Sequence, residues 1–339
     1  MSGPALLGGY VADVLLGDPA RRHPVAGFGQ VAARTEAAVY SPSKLRGVLY
    51  TGALVGGAAV AGEAVARAGS ALAGPRGRTA VLAALTWAAL GGRSLTRVAA
   101  RLADDVERGD LDGARARLPW LCGRDPEGLD GPALSRAALE SVAENTSDAV
   151  VGALFWGAVA GPAGVAGFRA ANTLDAMVGH RSDRYREFGW ASAKLDDALG
   201  WPGARLGAGL TAVCAPLVGG KPDTTLETVL RDGAAHPSPN AGQVESAFAG
   251  ALGVTLGGPL TYGGRAELRP TMGEGPAPTP RDVHRAARLS LAVGAAAALS
   301  CGALRSVLHT VRRPLTAPRP DKSPIGGQRT GLGGGGGSR

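Results

Sequence analysis

Residues 149–168 read Ala-Val-Val-Gly-Ala-Leu-Phe-Trp-Gly-Ala-Val-Ala-Gly-Pro-Ala-Gly-Val-Ala-Gly-Phe, uncharged throughout and interrupted by Gly161-Pro162 near the middle. As one helix the stretch would be about 30 Å long, the thickness of a bilayer's hydrocarbon core. Pro162 removes a helical hydrogen bond, and Gly161 and Gly164 loosen what remains. Two half-helices forming a re-entrant hairpin therefore fit better than a straight span. Broken helices at membrane depth are tolerated where they line a cavity enclosed by protein. A fold-back also returns the polar motifs on either flank to the same side, as one active site requires.

Residues 47–72 carry only Glu63 and Arg67 as charges, and residues 79–92, 206–220 and 289–304 carry none. Each is the length of a membrane helix or slightly shorter. Apolar residues make up 45% of the 339, but aromatics only 4%, while Gly alone numbers 54. Mean hydropathy is slightly positive, at +0.05. So many small side chains would bury little area in a water-soluble core, whereas they let helices approach closely in lipid.

The net charge of +8 does not indicate nucleic acid, since no basic block is interleaved with stacking aromatics. Arg21, Arg22, Lys44, Arg46, Arg93, Arg97, Arg305, Arg312 and Arg313 instead flank apolar spans, where membrane topology signals belong. Cys122, Cys214 and Cys301 are too widely spaced to suggest a disulfide framework or a zinc site. The apolar opening lacks a basic leader and contains Asp13, so it reads as a retained first helix.

The expected organisation is all-α, a polytopic helical membrane protein with a re-entrant or broken helix and a cytoplasm-facing cluster of motifs. Residues 1–313 form one integral-membrane domain, within which 93–148 is more polar and cytoplasm-facing. Residues 314–339 form a disordered Pro/Gly-rich tail. A first helix spans about 4–16, an amphipathic one about 27–40, and a water-exposed helix or two covers 94–118, broken at Gly109-Asp110. Residues 122–132 are a loop rich in turn residues, and a helix opens at Pro132.

The chemistry concentrates between residues 140 and 197. Glu140, Glu144 and Asp148 recur every four residues beside Asn145 and Ser147. On a helix they share one face, and like charges there repel. The pattern suits either a solvated stripe or a face that binds Mg²⁺. Asn172 and Asp175 follow the broken segment and can point into one cavity. The charged stretch 181–186, with Arg184, offers guanidinium groups to phosphate or carboxylate, or is a cytosolic loop. Lys194 precedes Asp196 and Asp197, adjacent acids of which at most one faces a metal. His23 and His236 each precede Pro, which extends the backbone there; alone, each reads better as a turn residue than as a proton carrier. Ser238, Asn240 and Glu245 follow His236. The glycine-rich loop 257–264, with Tyr262, could present backbone N–H groups to phosphate, and no GxxxxGK[ST] P-loop is present.

Taken in order, these segments resemble the CobD/CbiB family. The likeness rests on Asp13, Gly17-Asp18-Pro19 and His23-Pro24-Val25; on Glu140 to Asn145 with Ser147-Asp148; and on Asn172 to Asp175 with Met177-Val178-Gly179. Arg184-Tyr185, Phe188-Gly189, Leu195-Asp196-Asp197, the run from His236 to Gly242, Glu245, and Tyr262-Gly263-Gly264 continue it, collinear from residue 8 to about 265. Ala149 departs from the Gly more usual in that family.

The resemblance implies a cell-membrane, multi-pass adenosylcobinamide-phosphate synthase with cytoplasmic active-site loops. Adenosylcobyric acid would be joined to (R)-1-aminopropan-2-ol O-phosphate, or to aminopropanol, with ATP and Mg²⁺. It places Mg²⁺ and phosphates on Glu140, Glu144, Asp148 and Asp175, and charge neutralisation on Arg184 and Lys194. His236 is the expected base, and Asp18 and His23 complete the site. Asn145, Asn172, Asp196, Ser238, Asn240, Glu245 and Tyr262 are expected to bind substrate or phosphate. The lipid bilayer and other membrane enzymes of cobalamin assembly are the expected partners. The competing reading is a non-enzymatic membrane sensor or transporter, since the superfamily includes a branch linked to β-lactamase induction. A soluble α-helical amide ligase is a third.

Overall fold

The small-residue stretches form long helices, and their glycines set where the helices turn and touch. A computed structural model describes residues 3–18, 23–180, 182–262 and 265–311, with side chains except at 259–267. The anticipated tail, 314–339, lies outside the described residues. The helices are α1 (Gly3–Leu16), α2 (Pro24–Val39), α3 (Lys44–Ala89), α4 (Gly92–Glu107), α5 (Leu111–Arg117), α6 (Gly131–Asn145) and α7 (Gly152–Leu174). After these come α8 (Tyr185–Phe188), α9 (Trp190–Cys214), α10 (Pro222–Asp232) and α11 (Ala241–Leu252). Strands β1 (Leu256–Tyr262) and β2 (Arg265–Met272) and helix α12 (Pro280–Val311) follow. Lys44–Glu107, Gly131–Gly179 and Pro280–Val311 are helical stretches long and apolar enough to cross a membrane.

Two of those stretches fold back on themselves. In α7 the helical path breaks at Gly161 (φ 66°, ψ −141°), immediately before Pro162. A Cβ on Gly164 would lie 2.1 Å from the Trp156 carbonyl oxygen, and one on Gly152 would lie 2.3 Å from Cζ of Phe168. In a straight helix these pairs would stand roughly 12 and 24 Å apart. Residues 152–160 and 162–174 are therefore antiparallel arms, as the Gly-Pro break predicts. In α3 the break falls at Ala73 and Gly74 (φ 59°). There Gly77 meets Gly69 so closely that a Cβ on Gly77 would reach the Gly69 carbonyl.

The tip of α7 rests on the long arm of α3, where a Cβ on Gly62 would lie 2.8 Å from the Pro162 carbonyl oxygen. From Gly62, α3 continues roughly 16 Å to its own turn. The α7 hairpin thus turns back short of the depth that α3 reaches. Arg305 of α12 donates from Nη1 to the Ala158 carbonyl (3.2 Å) at the C-terminal end of the first arm, where a cation opposes the helix dipole. Val60 and Leu72 on α3 are 70% and 89% exposed, which suits contact with lipid.

The polar stretch after α3 breaks at Gly109, in the left-handed region (φ 78°), between α4 and α5 as predicted. Only one face of α4 is exposed, because Ala99, Leu102 and Ala103 are fully buried where α4 packs on α6 and α12. Of the glycine-rich loop expected at 257–264, residues 257–262 instead belong to a two-stranded antiparallel ribbon, β1 with β2, and 263–264 lie outside the described residues. Its register slips between Leu256 and Gly258. Gly257 (φ 81°) and Gly258 (φ 85°) allow that bulge.

Gly164→Ala is expected to destabilise the protein by about 1–3 kcal/mol, because the new methyl group meets backbone rather than a movable side chain. Gly52→Ala, with open space around it, should be neutral or slightly stabilising. Thermal unfolding of both variants in detergent checks the pair.

Candidate active site

Both arms of α7 end in a π-helical turn, over Thr146–Val151 before it and Asp175–Gly179 after it. Such turns re-aim side chains and recur at functional sites. Here they carry Asp148 and Asp175. Asp148 lies within electrostatic reach of Asp196, Glu144, Asp175 and Arg169. Asn172 joins the group by a hydrogen bond to Asp196 while accepting from Nη1 of Arg169 (3.1 Å). Arg169 also faces Asp18 of the first loop. Residues from the first loop, α6, α7 and α9 thus share one acidic chamber, with Arg169 the cation among them.

A second lobe lies beyond Glu144, whose charged neighbours include Arg269, Glu140 and Arg124. It contains His236 and Glu245. Glu245 is 1% exposed, and neither of its carboxylate oxygens has a hydrogen-bond partner. Burial, followed by the charges of Glu144 and Glu140, pushes its pKa well above the usual carboxylate value. His236 Nδ1 accepts the Ser238 N–H (3.1 Å); its Nε2 lies 4.0 Å from Glu245 Oε1 and 3.4 Å from Nη1 of Arg269. His23 is built alike: Nδ1 accepts the Val25 N–H (3.2 Å) and Nε2 lies 4.0 Å from Asp18. Each His-Pro unit is a turn that fixes its ring by the backbone N–H two residues on.

Several expected residues are otherwise engaged. Glu140, read as a metal ligand, pairs with buried Arg124 and accepts the Gly257 N–H (2.8 Å), so it latches the β-ribbon to α6. Arg184, read as neutralising phosphate, bonds Glu36 (3.0 Å) and covers the Tyr40 ring at 4.1 Å, with its side chain 54% exposed. Lys194 is exposed at the rim and pairs with Asp197 (3.1 Å). Asn145 bonds back to the Ser141 carbonyl (2.9 Å). Ser238 Oγ accepts from the N–H groups of Asn240 and Ala241. Asn240 bonds the Asp197 carbonyl (2.8 Å) and Arg205 Nη1 (2.9 Å), tying α9 to the start of α11. The Tyr262 side chain lies outside the described residues.

Sequence reasoning passed over Arg169, Arg124 and Arg269. Arg169 had a signal: it is a lone charge directly after an apolar membrane-length stretch, where ionisable residues are rarely idle. Arg124 and Arg269 stand in segments with no periodicity to mark them.

Glu144, Asp148, Asp175 and Asp196 are hard oxygen donors, and cations flank them on two sides: Arg169 near Asp148, and Arg269 and Arg124 near Glu144. Such donors are the kind a divalent cation such as Mg²⁺ takes, but no three of the four bring a carboxylate oxygen within 4.8 Å of one another, as Asp104, Glu107 and His284 do. Burial, then the nearby Asp175 charge, raises the Asp196 pKa to about 7. With its folded pKa above its unfolded value of about 3.9, Asp196 loses stability for the fold as pH rises from roughly 4 to 7. Without cation, Asp196→Asn should flatten that decline, and Asp148→Asn should raise the unfolding midpoint. Added Mg²⁺ is expected to raise the unfolding midpoint of the unsubstituted chain and of neither variant. Glu140→Gln should instead cost about 3–5 kcal/mol with or without Mg²⁺, because it strands buried Arg124. Thermal unfolding against pH and Mg²⁺ separates the two classes.

The family model described as CobD/Cbib protein matches residues 6–290. Cobalamin biosynthesis protein CobD of Mycobacterium tuberculosis (strain ATCC 25618 / H37Rv) is 51% identical over 309 residues, covering 90% of this chain and 95% of its own. The protein of that name from Chromobacterium violaceum is 40% identical over 312 residues, 88% of this chain and 96% of its own. That of Rhodobacter capsulatus is 47% identical over 202 residues, 59% and 63% respectively. No solved structure matches the chain.

Proposed function

The chain belongs to the CobD/CbiB family, and from that premise we propose that it acts in cobalamin biosynthesis as an ATP-dependent amide ligase. It joins the free propionate of adenosylcobyric acid to (R)-1-aminopropan-2-ol O-phosphate or to aminopropanol. The site works at the cytoplasmic face of the cell membrane, where ATP and the corrinoid are found. The observation that carries this reading is the gathering of Glu144, Asp148, Asp175 and Asp196 within electrostatic reach of one another, with Asn172 bonded to Asp196 and Arg169 facing Asp18, Asp148 and Asp196, beside the buried Glu245–His236 pair.

A carboxylate is a poor electrophile at neutral pH. Transfer of the ATP γ-phosphoryl group to a propionate oxygen gives an acyl phosphate and ADP. The amine nitrogen then attacks the acyl carbon, the carbon–oxygen bond to phosphate breaks, and inorganic phosphate leaves as one proton departs the nitrogen. Glu144, Asp148, Asp175 and Asp196 would hold Mg²⁺, which supplies neutralising charge for the phosphate oxygens. Glu140, engaged by Arg124 and the Gly257 N–H, is assigned to holding the β-ribbon and not to that set. Arg169, the cation in the chamber, takes the neutralising part expected of Arg184 and Lys194.

His236 stays the candidate base. Its Nδ1 lies near both the N–H and the carbonyl of Ser238, at 3.1 and 3.4 Å, and its Nε2 faces the donor Nη1 of Arg269 at 3.4 Å, which suits Nε2 as the acceptor for the amine's proton. Glu245, 4.0 Å from Nε2 and with its pKa pushed well above the usual carboxylate value, adjoins it.

The test supplies detergent-purified protein with Mg-ATP, adenosylcobyric acid and each amine, and reads corrinoid mass. An ATP-dependent gain matching the amide is expected. Asp148→Asn, Arg169→Gln and His236→Gln should lower turnover by about 10²-fold or more, whereas Arg184→Gln should stay within a few-fold. A folded chain that makes no amide with either amine overturns the ligase reading.

A further inference from the structure

Outside the acidic chamber, α4 and α12 bring a second set of metal-binding groups together. Asp104 and Glu107 stand three residues apart on α4, a spacing that puts both on one helix face. His284 of α12 lies opposite them, and one ligand atom from each of the three falls within 4.8 Å of the other two. Nε2 of His284 is 3.2 Å from Oδ1 of Asp104. That contact is not a hydrogen bond, since the described residues give the His284 ring none. A tetrahedral zinc ion with bonds of about 2.0–2.1 Å sets its ligand atoms roughly 3.3 Å apart. The His284–Asp104 separation matches one edge of that tetrahedron, and exposed Glu107 is free to rotate onto the third corner.

Nearby cations do not compete for these acids. Asp105, which lies between them in sequence but is turned inward and buried, takes both Arg108 and Arg117. Among the described residues no Lys or Arg pairs with Asp104 or Glu107. The place is also open to ions in water, with the His284 and Asp104 side chains 36% and 45% exposed. Ser290 of α12 bonds Thr146 of the first π-helical turn (2.6 Å), and Arg305, further along, reaches the α7 hairpin at Ala158. His284 lies on the other side of Ser290, about 9 Å beyond it, away from the hairpin tip. An imidazole nitrogen with two carboxylates suits zinc, whereas Mg²⁺ prefers oxygen ligands alone. We propose that Asp104, Glu107 and His284 form a zinc site, completed by water, that clamps α4 onto α12.

Isothermal titration calorimetry with zinc chloride tests this, on the untagged, chelator-stripped full chain in detergent, with excess Mg²⁺ to occupy the acidic chamber. Zinc should bind at one equivalent per chain and raise the unfolding midpoint. Groups that merely support metal ligands are worth about 10–100-fold in affinity. His284→Gln and Glu107→Gln, each removing a ligand, should therefore weaken zinc by about 100-fold or more. Without zinc, both variants should unfold close to the unsubstituted chain, because exposed ion pairs contribute little. Asp148→Asn, in the acidic chamber, should leave zinc affinity unchanged. Absence of zinc binding overturns the proposal, as does an affinity that survives either His284→Gln or Glu107→Gln. Zinc lost in Asp148→Asn also overturns it, by placing the ion in the chamber. Neither ATP nor corrinoid enters the titration, so this inference and the ligase reading fail separately.

Discussion

The backbone reversal at Gly161-Pro162 is the constraint on which the rest depends. A residue with a side chain resists the left-handed conformation at Gly161, and Pro162 then starts the returning arm without a missed N–H. The arms approach closely because Gly152 leaves room for the Phe168 ring and Gly164 for the Trp156 backbone. Arg305, reaching across from α12, bonds a carbonyl at the end of the first arm. That arm would otherwise expose unpaired groups in a medium with no water to satisfy them. Close helix contact, a cation on carbonyls and a glycine turn thus substitute for a straight crossing.

Because the hairpin returns, Asp148 and Asp175, on its two flanks, come within reach of each other and of Asp196. The outcome is electrostatically expensive. Carboxylates gathered in a poorly hydrated chamber repel, and packing elsewhere must hold them there. Glu140–Arg124 and the N–H of Gly257 provide part of that restraint by fixing the β-ribbon to α6. The site therefore holds two kinds of acid that look alike in sequence: one kind is paired and structural, the other is left short of partners and suited to a cation.

Much of this was legible in the sequence, for identifiable reasons. Gly161-Pro162 inside an uncharged stretch, with polar motifs on both sides, has few other foldings in lipid. Gly109-Asp110 marked the end of α4, and the His-Pro pairs marked turns. The π-helical turns were not legible, because they change the face of Asp148 and Asp175 without any residue that demands them. Nor does the sequence say which cation is spent: Arg184 and Lys194 stood in the right motifs but hold Glu36 and Asp197, while Arg169 remains inside. The ribbon of β1 and β2 was hidden by Gly257, Gly258 and Pro259, a combination that disfavours strands everywhere except at a bulge or an edge.

The fold-back itself is open to direct measurement. Cys122, Cys214 and Cys301 would be replaced, and single cysteines introduced at exposed Glu127, before α6, and exposed Asp183, after α7. Each is then labelled with a membrane-impermeant thiol reagent in sealed vesicles of known orientation. The account expects both positions to react from the same side of the membrane. Labelling of Glu127→Cys from one side and Asp183→Cys from the other would mean that the segment crosses the bilayer, and the single acidic chamber could not exist as described.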